Sequence, residues 1–394
     1  MRPLRRRIVA VLATAVVALG AGGVSAPPAY GAARDWTQDG YGAARTFYNP
    51  AESVINARSV NGLRRQWSVA PPQAQDWTCS GTTTPLAAAG RVFVADETGV
   101  GAYQAKTGRR IWHHHWDSPD QASTPSMAVS GGLLLVGVAD CESISSVGGD
   151  IFAFNVATGR LKWHQGLPRP AHFLLVDRGV VVTSGASDTL GVTAFRVSDG
   201  RELWTLQGYF AGAAANGRLF VSSAYDVFRI AAVSITTGRR IWTTPELSTS
   251  VTGGVTAATP AGDLVYAVYE SGLLCLRSSN GSVVWRDPST AWPLATDGRR
   301  IYRASGSSIE ALGARTGQRL WTTRLTGNTG PPVRAGGLLY TAVADGKPLG
   351  ILNAANGTVA STGRHLGRLD GGHVVVSGGR LYMTIGNTLV AYAP

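Results

Sequence analysis

Three consecutive histidines, His113, His114 and His115, could do metal chemistry. Imidazole suits zinc or copper, and alternate residues of a strand share a face, so His113 and His115 could offer two ligands to one ion. The sequence places no third ligand beside them, and His113 follows Trp112 just as His164 follows Trp163, which marks an ordinary repeat position. Carboxylates form a second group. Asp96, Glu97, Asp140, Glu142 and Glu270 fall at or near hairpins, where paired carboxylates bind calcium or act as acid and base, and where single ones serve solvation. Trp77, Trp116, Tyr209, Phe210, Tyr225 and Trp292 could line a ligand surface or pack within the fold. Among these side chains, none composes a recognisable catalytic set.

The elements that position these residues follow from a repeat. The hexapeptide TGRRIW stands at 107–112 and again at 237–242. Relatives end at Trp112, Trp163, Trp204, Trp242, Trp285 and Trp321, with a decayed copy ending at Ser361. Their glycines, Gly108, Gly159, Gly200, Gly238, Gly281, Gly317 and Gly357, are spaced 51, 41, 38, 43, 36 and 40 residues apart. A period near 42 denotes a propeller or a solenoid, and alternating apolar strands without helical periodicity exclude the helical solenoids. In the second unit, strands are expected near 124–129, 132–138, 151–156 and 160–164, which makes a four-stranded antiparallel blade. The residue pair ending in Gly supplies the positive φ of a tight hairpin, and the Trp after it points into the seam against a neighbouring blade.

Six residues before each Gly lies a small side chain, Ala102, Ala153, Ala194, Ala232, Cys275 or Ala311, and only the decayed unit departs, with Ile351. This predicts a packed slot on the third strand and makes Cys275 a buried free thiol rather than a nucleophile. The C-terminal LVAYAP is a third strand, with Ala391 in the slot and no fourth strand after it. SVNGLRRQW, ending at Trp67, supplies the missing strand and closes the ring, so eight blades are expected, with seven as the alternative. Loops from the fourth strand to the next blade emerge with the second-to-third-strand hairpins on one face. The long connections at 68–81, 113–123 and 139–150 define a candidate ligand sector there. Cys79 and Cys141 should project from that face on adjacent blades, where a disulfide between them would tie two long loops.

The N-terminal 33 residues, with Arg2, Arg5, Arg6 and Arg7 before an apolar run and small residues, read as a signal peptide cleaved near Ala32 or Ala33. The apolar run is too short for a stable membrane anchor, and export by the general or the twin-arginine route makes the protein extracellular. Without those arginines the chain keeps 32 basic against 24 acidic residues. In linear order the excess is scattered, with no run of like charges and no basic helix, which argues against nucleic acid and for a mild attraction to anionic envelope polymers.

The stretch DWTQDGYGAARTFYNPAESVINARSVNGLRRQW at 35–67, followed by the A-x-x-x-T-G-x-x-x-W units, resembles the pyrroloquinoline-quinone (PQQ)-like β-propeller superfamily over nearly all of the chain after the leader. That resemblance implies an all-β propeller over 59–394 and a strap over 34–58, carrying Trp36, Gly40, Arg45, Tyr48, Asn49 and Pro50, that wraps the ring. The superfamily contains quinoprotein alcohol dehydrogenases, the propeller subunit of the outer-membrane assembly machine and sensor domains, so it implies no single activity. Quinoprotein dehydrogenases hold PQQ beneath adjacent cysteines. This chain has no Cys-Cys and no CxxCH haem motif, so PQQ with calcium is the disfavoured reading and no cofactor is expected. The resulting expectation is a secreted, monomeric, non-catalytic propeller that binds a protein, a peptide or an envelope polymer across its long-loop face. The alternative is an enzyme, either a PQQ-dependent oxidoreductase or a tailoring enzyme using the rim.

Overall fold

The computed structural model describes residues 34–73, 82–96, 98–116, 123–139, 148–186, 190–225, 227–249, 253–270, 272–289, 294–344, 346–369 and 373–394. Its regular structure begins from the glycine hairpins. All seven repeat glycines take positive φ, from 67° at Gly238 to 77° at Gly357, which a side chain would resist. Each hairpin joins the third and fourth strands of one antiparallel sheet, and eight such sheets form the ring. Blade 1 comprises Leu86–Ala88, Arg91–Asp96, Gly99–Gln104 and Arg110–His115. Blades 2 to 7 span 123–167, 173–207, 209–243, 253–287, 294–324 and 333–361. Blade 8 takes Val375–Ser377, Arg380–Ile385 and Thr388–Ala393 from the C-terminus and Arg64–Val69 from the N-terminal region. The expected closure therefore forms, with Trp67 opposite Ala391.

The slot has a direct cause in the register. Each small residue of the third strand lies across from the indole of the fourth: Ala102 from Trp112, Ala194 from Trp204, Cys275 from Trp285 and Ala311 from Trp321. The indole then leaves its own blade for the next. A methyl group at Gly108 would sit 2.7 Å from the Trp67 ring, and one at Gly159 2.6 Å from Trp112. The Nε1 of Trp67, Trp112, Trp163, Trp204, Trp242 and Trp285 donates at 2.9–3.1 Å to a carbonyl of the following blade. Each of these six seams thus combines a glycine floor, an apolar ring and a satisfied N–H, a contribution of several kcal/mol per indole, whereas Trp321 stands over Gly357 with its Nε1 buried and without a hydrogen-bond partner.

The decayed copy is explained by its neighbour. Ser361 faces Ile351, so the large and small partners have exchanged strands. Blade 8, which follows, draws its third and fourth strands from opposite ends of the chain and has no glycine hairpin to receive an indole.

The strap runs along the channel and bonds to the innermost strands in order. Trp36 exchanges backbone hydrogen bonds with Ala87 of blade 1, and the Thr37 carbonyl accepts from Val129 of blade 2. The Gln38 side chain both accepts from and donates to Val176 of blade 3. The carbonyls of Ala43, Ala44, Thr46 and Phe47 then accept at 2.8 Å from Ala214, Ala258, Thr296 and Arg334 of blades 4 to 7. Asn49 completes the circle by donating to the Val376 carbonyl of blade 8. So tight a course needs left-handed backbone, found at Gly40, Tyr41, Arg45 and Phe47.

Candidate functional site

In an antiparallel four-stranded blade, the first and third hairpins emerge on one face, the hairpin face, and the middle hairpin and interblade connection on the other, the open face. The strap bonds fall at or near the last residues of the inner strands, such as Ala258 of Gly253–Ala258 and Thr296 of Leu294–Thr296, so it floors the channel toward the hairpin face. Above that floor lies a cavity of about 400 Å³. Trp36, Asp39 and Arg45 of the strap form its base, and residues 82–86, 125–127, His172, Phe173 and His373 its wall.

Polar groups at the base are committed to one another. Arg45 Nη2 lies 2.8 Å from Asp39 Oδ2, and His373 Nε2 lies 3.4 Å from Asp39 Oδ1. The Arg45 guanidinium sits 5.1 Å from the centroid of the Phe173 ring, and His373 meets Phe47 edge-on at 4.8 Å. Burial raises the cost of charge on Asp39, yet Arg45, His373 and the Gly40 N–H outweigh it and hold the carboxyl below its usual range. Burial pushes His373 down against the pull of Asp39, and it also lowers His172. At neutral pH the cavity therefore presents one internally paired carboxylate and guanidinium, two neutral imidazoles and an apolar wall. The indole Nε1 of Trp36 is buried without a hydrogen-bond partner.

PQQ, a planar quinone bearing three carboxylates, would call for several cations in this lining. Among the described residues that line the cavity Arg45 is the one arginine or lysine, and it is already paired with Asp39. Among the described residues no group of three His, Cys, Asp or Glu could hold a metal ion. The donors among the described lining residues do not match three carboxylates.

The sequence candidates fall elsewhere. Trp77, Glu97, Asp140, Glu142, Trp292, Cys79 and Cys141 lie outside the described residues. Asp96 and His113 form a buried pair in blade 1, with His113 Nε2 at 3.0 Å from Oδ2 while Thr98 donates twice to Oδ1. The His115 ring lies tilted by 60° against His113 with centroids 4.4 Å apart, and Trp116 packs against Phe152. Tyr209 accepts from Arg240, Glu270 accepts from the Ser248 hydroxyl, and Tyr225 and Phe210 are exposed. None of these described residues lines the cavity. Cys275 is free and fully buried, and burial lifts its thiol to about 12, which removes it as a nucleophile.

The cavity residues Asp39, His172 and His373 were not singled out by sequence. Asp39 and His373 come together only through ring closure. The one local signal was the glycine-rich setting of Asp39, between Gln38 and Gly40-Tyr41-Gly42.

The family model of outer membrane protein assembly factor BamB matches residues 96–228 and 226–349, together more than half of the chain. No curated protein matches it in sequence. Among solved structures, BamB from Moraxella catarrhalis is similar with a TM-score of 0.60 at 18% identity, over 84% of this chain and 100% of that one. Quinohemoprotein alcohol dehydrogenase from Comamonas testosteroni gives 0.68 at 14% identity, over 91% of this chain and 80% of that one. A europium-containing methanol dehydrogenase gives 0.70 at 12%, over 92% and 98%. At these identities the likeness is one of fold.

Proposed function

The chain belongs to the family of outer membrane protein assembly factor BamB, and on that premise we propose that it is an exported, non-catalytic propeller that holds a protein or peptide segment at its open face. The observation that carries this reading is the axial cavity, floored by the strap and lined by a paired Asp39–Arg45 beneath apolar and hydroxyl-bearing walls at the first residues of the inner strands. Such a lining suits a peptide, which presents apolar side chains and evenly matched donors and acceptors. The reading invokes no cofactor. A photo-crosslinking residue at Phe173, in the cavity wall, should give discrete adducts with envelope proteins of the producing organism, and the same residue at exposed Val359 should not. Identical adduct patterns at both positions, or none at Phe173, would sink the reading.

One observation favours an enzyme instead. His373, kept neutral beside an ionised Asp39, is the arrangement of a base oriented by a carboxylate. Its Nε2, however, is buried against that carboxylate and hydrogen-bonds to no hydroxyl or thiol among the described residues.

A further inference from the structure

The linear order of the basic residues conceals their arrangement in the ring. In four consecutive blades the residue after the hairpin glycine is arginine: Arg109, Arg160, Arg201 and Arg239, all exposed. Blade topology delivers all four to the hairpin face, opposite the open end of the axial cavity. Arg64 and Arg65 of the closing strand extend the series through blade 8, giving an arc over five adjacent blades. In blades 5 to 7 the same position holds Ser282, Gln318 and Thr358, so the run of arginines at this position occupies one side of the ring; Arg277, Arg299, Arg315 and Arg319 are exposed at other hairpin positions of blades 5 and 6, with Arg315 paired to Asp263. Exposed acidic residues in the arc are few. Asp199 is paired with Arg196, and Glu202 accepts the Thr205 hydroxyl.

Apolar side chains accompany the cations. Leu161, Leu203 and Ile241 lie one or two residues after the arc arginines and are 42%, 39% and 46% exposed, and Val283, Leu320 and Val359 on the fourth strands of blades 5 to 7 continue this aliphatic rim around the ring at 41%, 52% and 59%. A soluble polyanion would gain nothing from them. A bilayer surface would, because arginine meets lipid phosphate while leucine and isoleucine enter the interface. The hairpin tips share one face of a ring, which matches a planar target better than a strand-like polymer needing a groove.

We infer that this arc is a docking surface for anionic phospholipid, placing the propeller against a membrane with its axial cavity facing away. The run of arginines at one hairpin position over adjacent blades, set against an exposed aliphatic rim and replaced by Ser282, Gln318 and Thr358 at the same position across the ring, carries the inference.

The test is co-sedimentation of the full chain with phosphatidylglycerol vesicles, phosphatidylcholine vesicles and soluble polyphosphate, with residues 1–33 common to every arm. Binding to phosphatidylglycerol should weaken with salt. Replacing Arg109, Arg160, Arg201 and Arg239 with serine, a residue the same position already accepts in blade 5, should lower partitioning by at least about a hundredfold. The matching lysine set should retain it. Removing four cations off the arc, with Arg277, Arg299, Arg315 and Arg319 each changed to Gln, should leave partitioning within about threefold. Leu161→Ser, Leu203→Ser and Ile241→Ser together should cost about tenfold. Equal losses from the arc and off-arc sets would overturn the inference. So would an absence of phosphatidylglycerol binding, or polyphosphate binding that the apolar variant leaves intact while vesicles are ignored.

Discussion

The His373 imidazole is buried beside Trp36 and Phe47, with Nε2 3.4 Å from the Asp39 carboxylate. Its folded pKa lies below the ordinary 6.5 because burial disfavours the cation more than Asp39 favours it. The folded protein therefore binds fewer protons there than the unfolded chain, so stability is full above about pH 6.5 and falls as acid titrates the unfolded side first. Asp39 has the opposite protonation chemistry but the same direction of effect. Its carboxyl is held below 3.8, and the stability it contributes disappears only as pH drops beneath that value. Two acid steps are expected, one starting near pH 6.5 and one below pH 4. His373→Gln should flatten most of the first step in melting temperatures measured from pH 7.5 to 5, leaving the share owed to His172. A variant with an unchanged slope over that range would show that His373 is not the buried neutral base described here.

At the scale of the element, the repeating unit is a triplet: a positive-φ glycine, an indole from the preceding blade over it, and a small residue across from the indole. These contributions can be separated. Gly200 has φ of 72°, and an added methyl would lie 2.6 Å from the Trp163 ring. Gly90 has φ of 70° and nothing within 4 Å. Gly90→Ala should therefore report backbone strain alone, about 1 kcal/mol, whereas Gly200→Ala adds overpacking of a seam and should cost about 2–4 kcal/mol in urea unfolding. Equal costs would mean that the seam yields freely. Because the constraints are short-range and recur every blade, the sequence alone gave the unit, the number of blades and the fate of Cys275. It even marked the exception at Ile351 and Ser361, although why the exception occurs there required knowing that the next blade lacks a hairpin.

For the whole molecule, what escaped sequence reading was whatever depends on closing the circle. The strap engages blades 4 to 7 through the main-chain carbonyls of Ala43, Ala44, Thr46 and Phe47, which carry no side-chain signature, so its path inside the channel was invisible. Asp39 and His373 meet across that strap, and Arg109, Arg160, Arg201 and Arg239, dispersed along the chain, fall on one arc because equivalent hairpins share one face. The same closure makes the molecule testable as a ring. Arg64 lies directly across from Ala393 in the closing blade, so two strands from opposite ends of the sequence are held by one antiparallel ladder. Cross-strand neighbours in such a ladder have Cβ atoms about 4.5–5.5 Å apart, close enough to bridge with a small backbone adjustment. Arg64→Cys with Ala393→Cys should oxidise to a disulfide that encloses nearly the entire propeller and constrains the unfolded chain by about 2–4 kcal/mol. The oxidised form should melt above the reduced form, and the gap should vanish on adding reductant. A pair that oxidises without raising the melting temperature would mean that the ladder opens before the rest of the ring, and that the blade built from two termini is not what holds the circle shut.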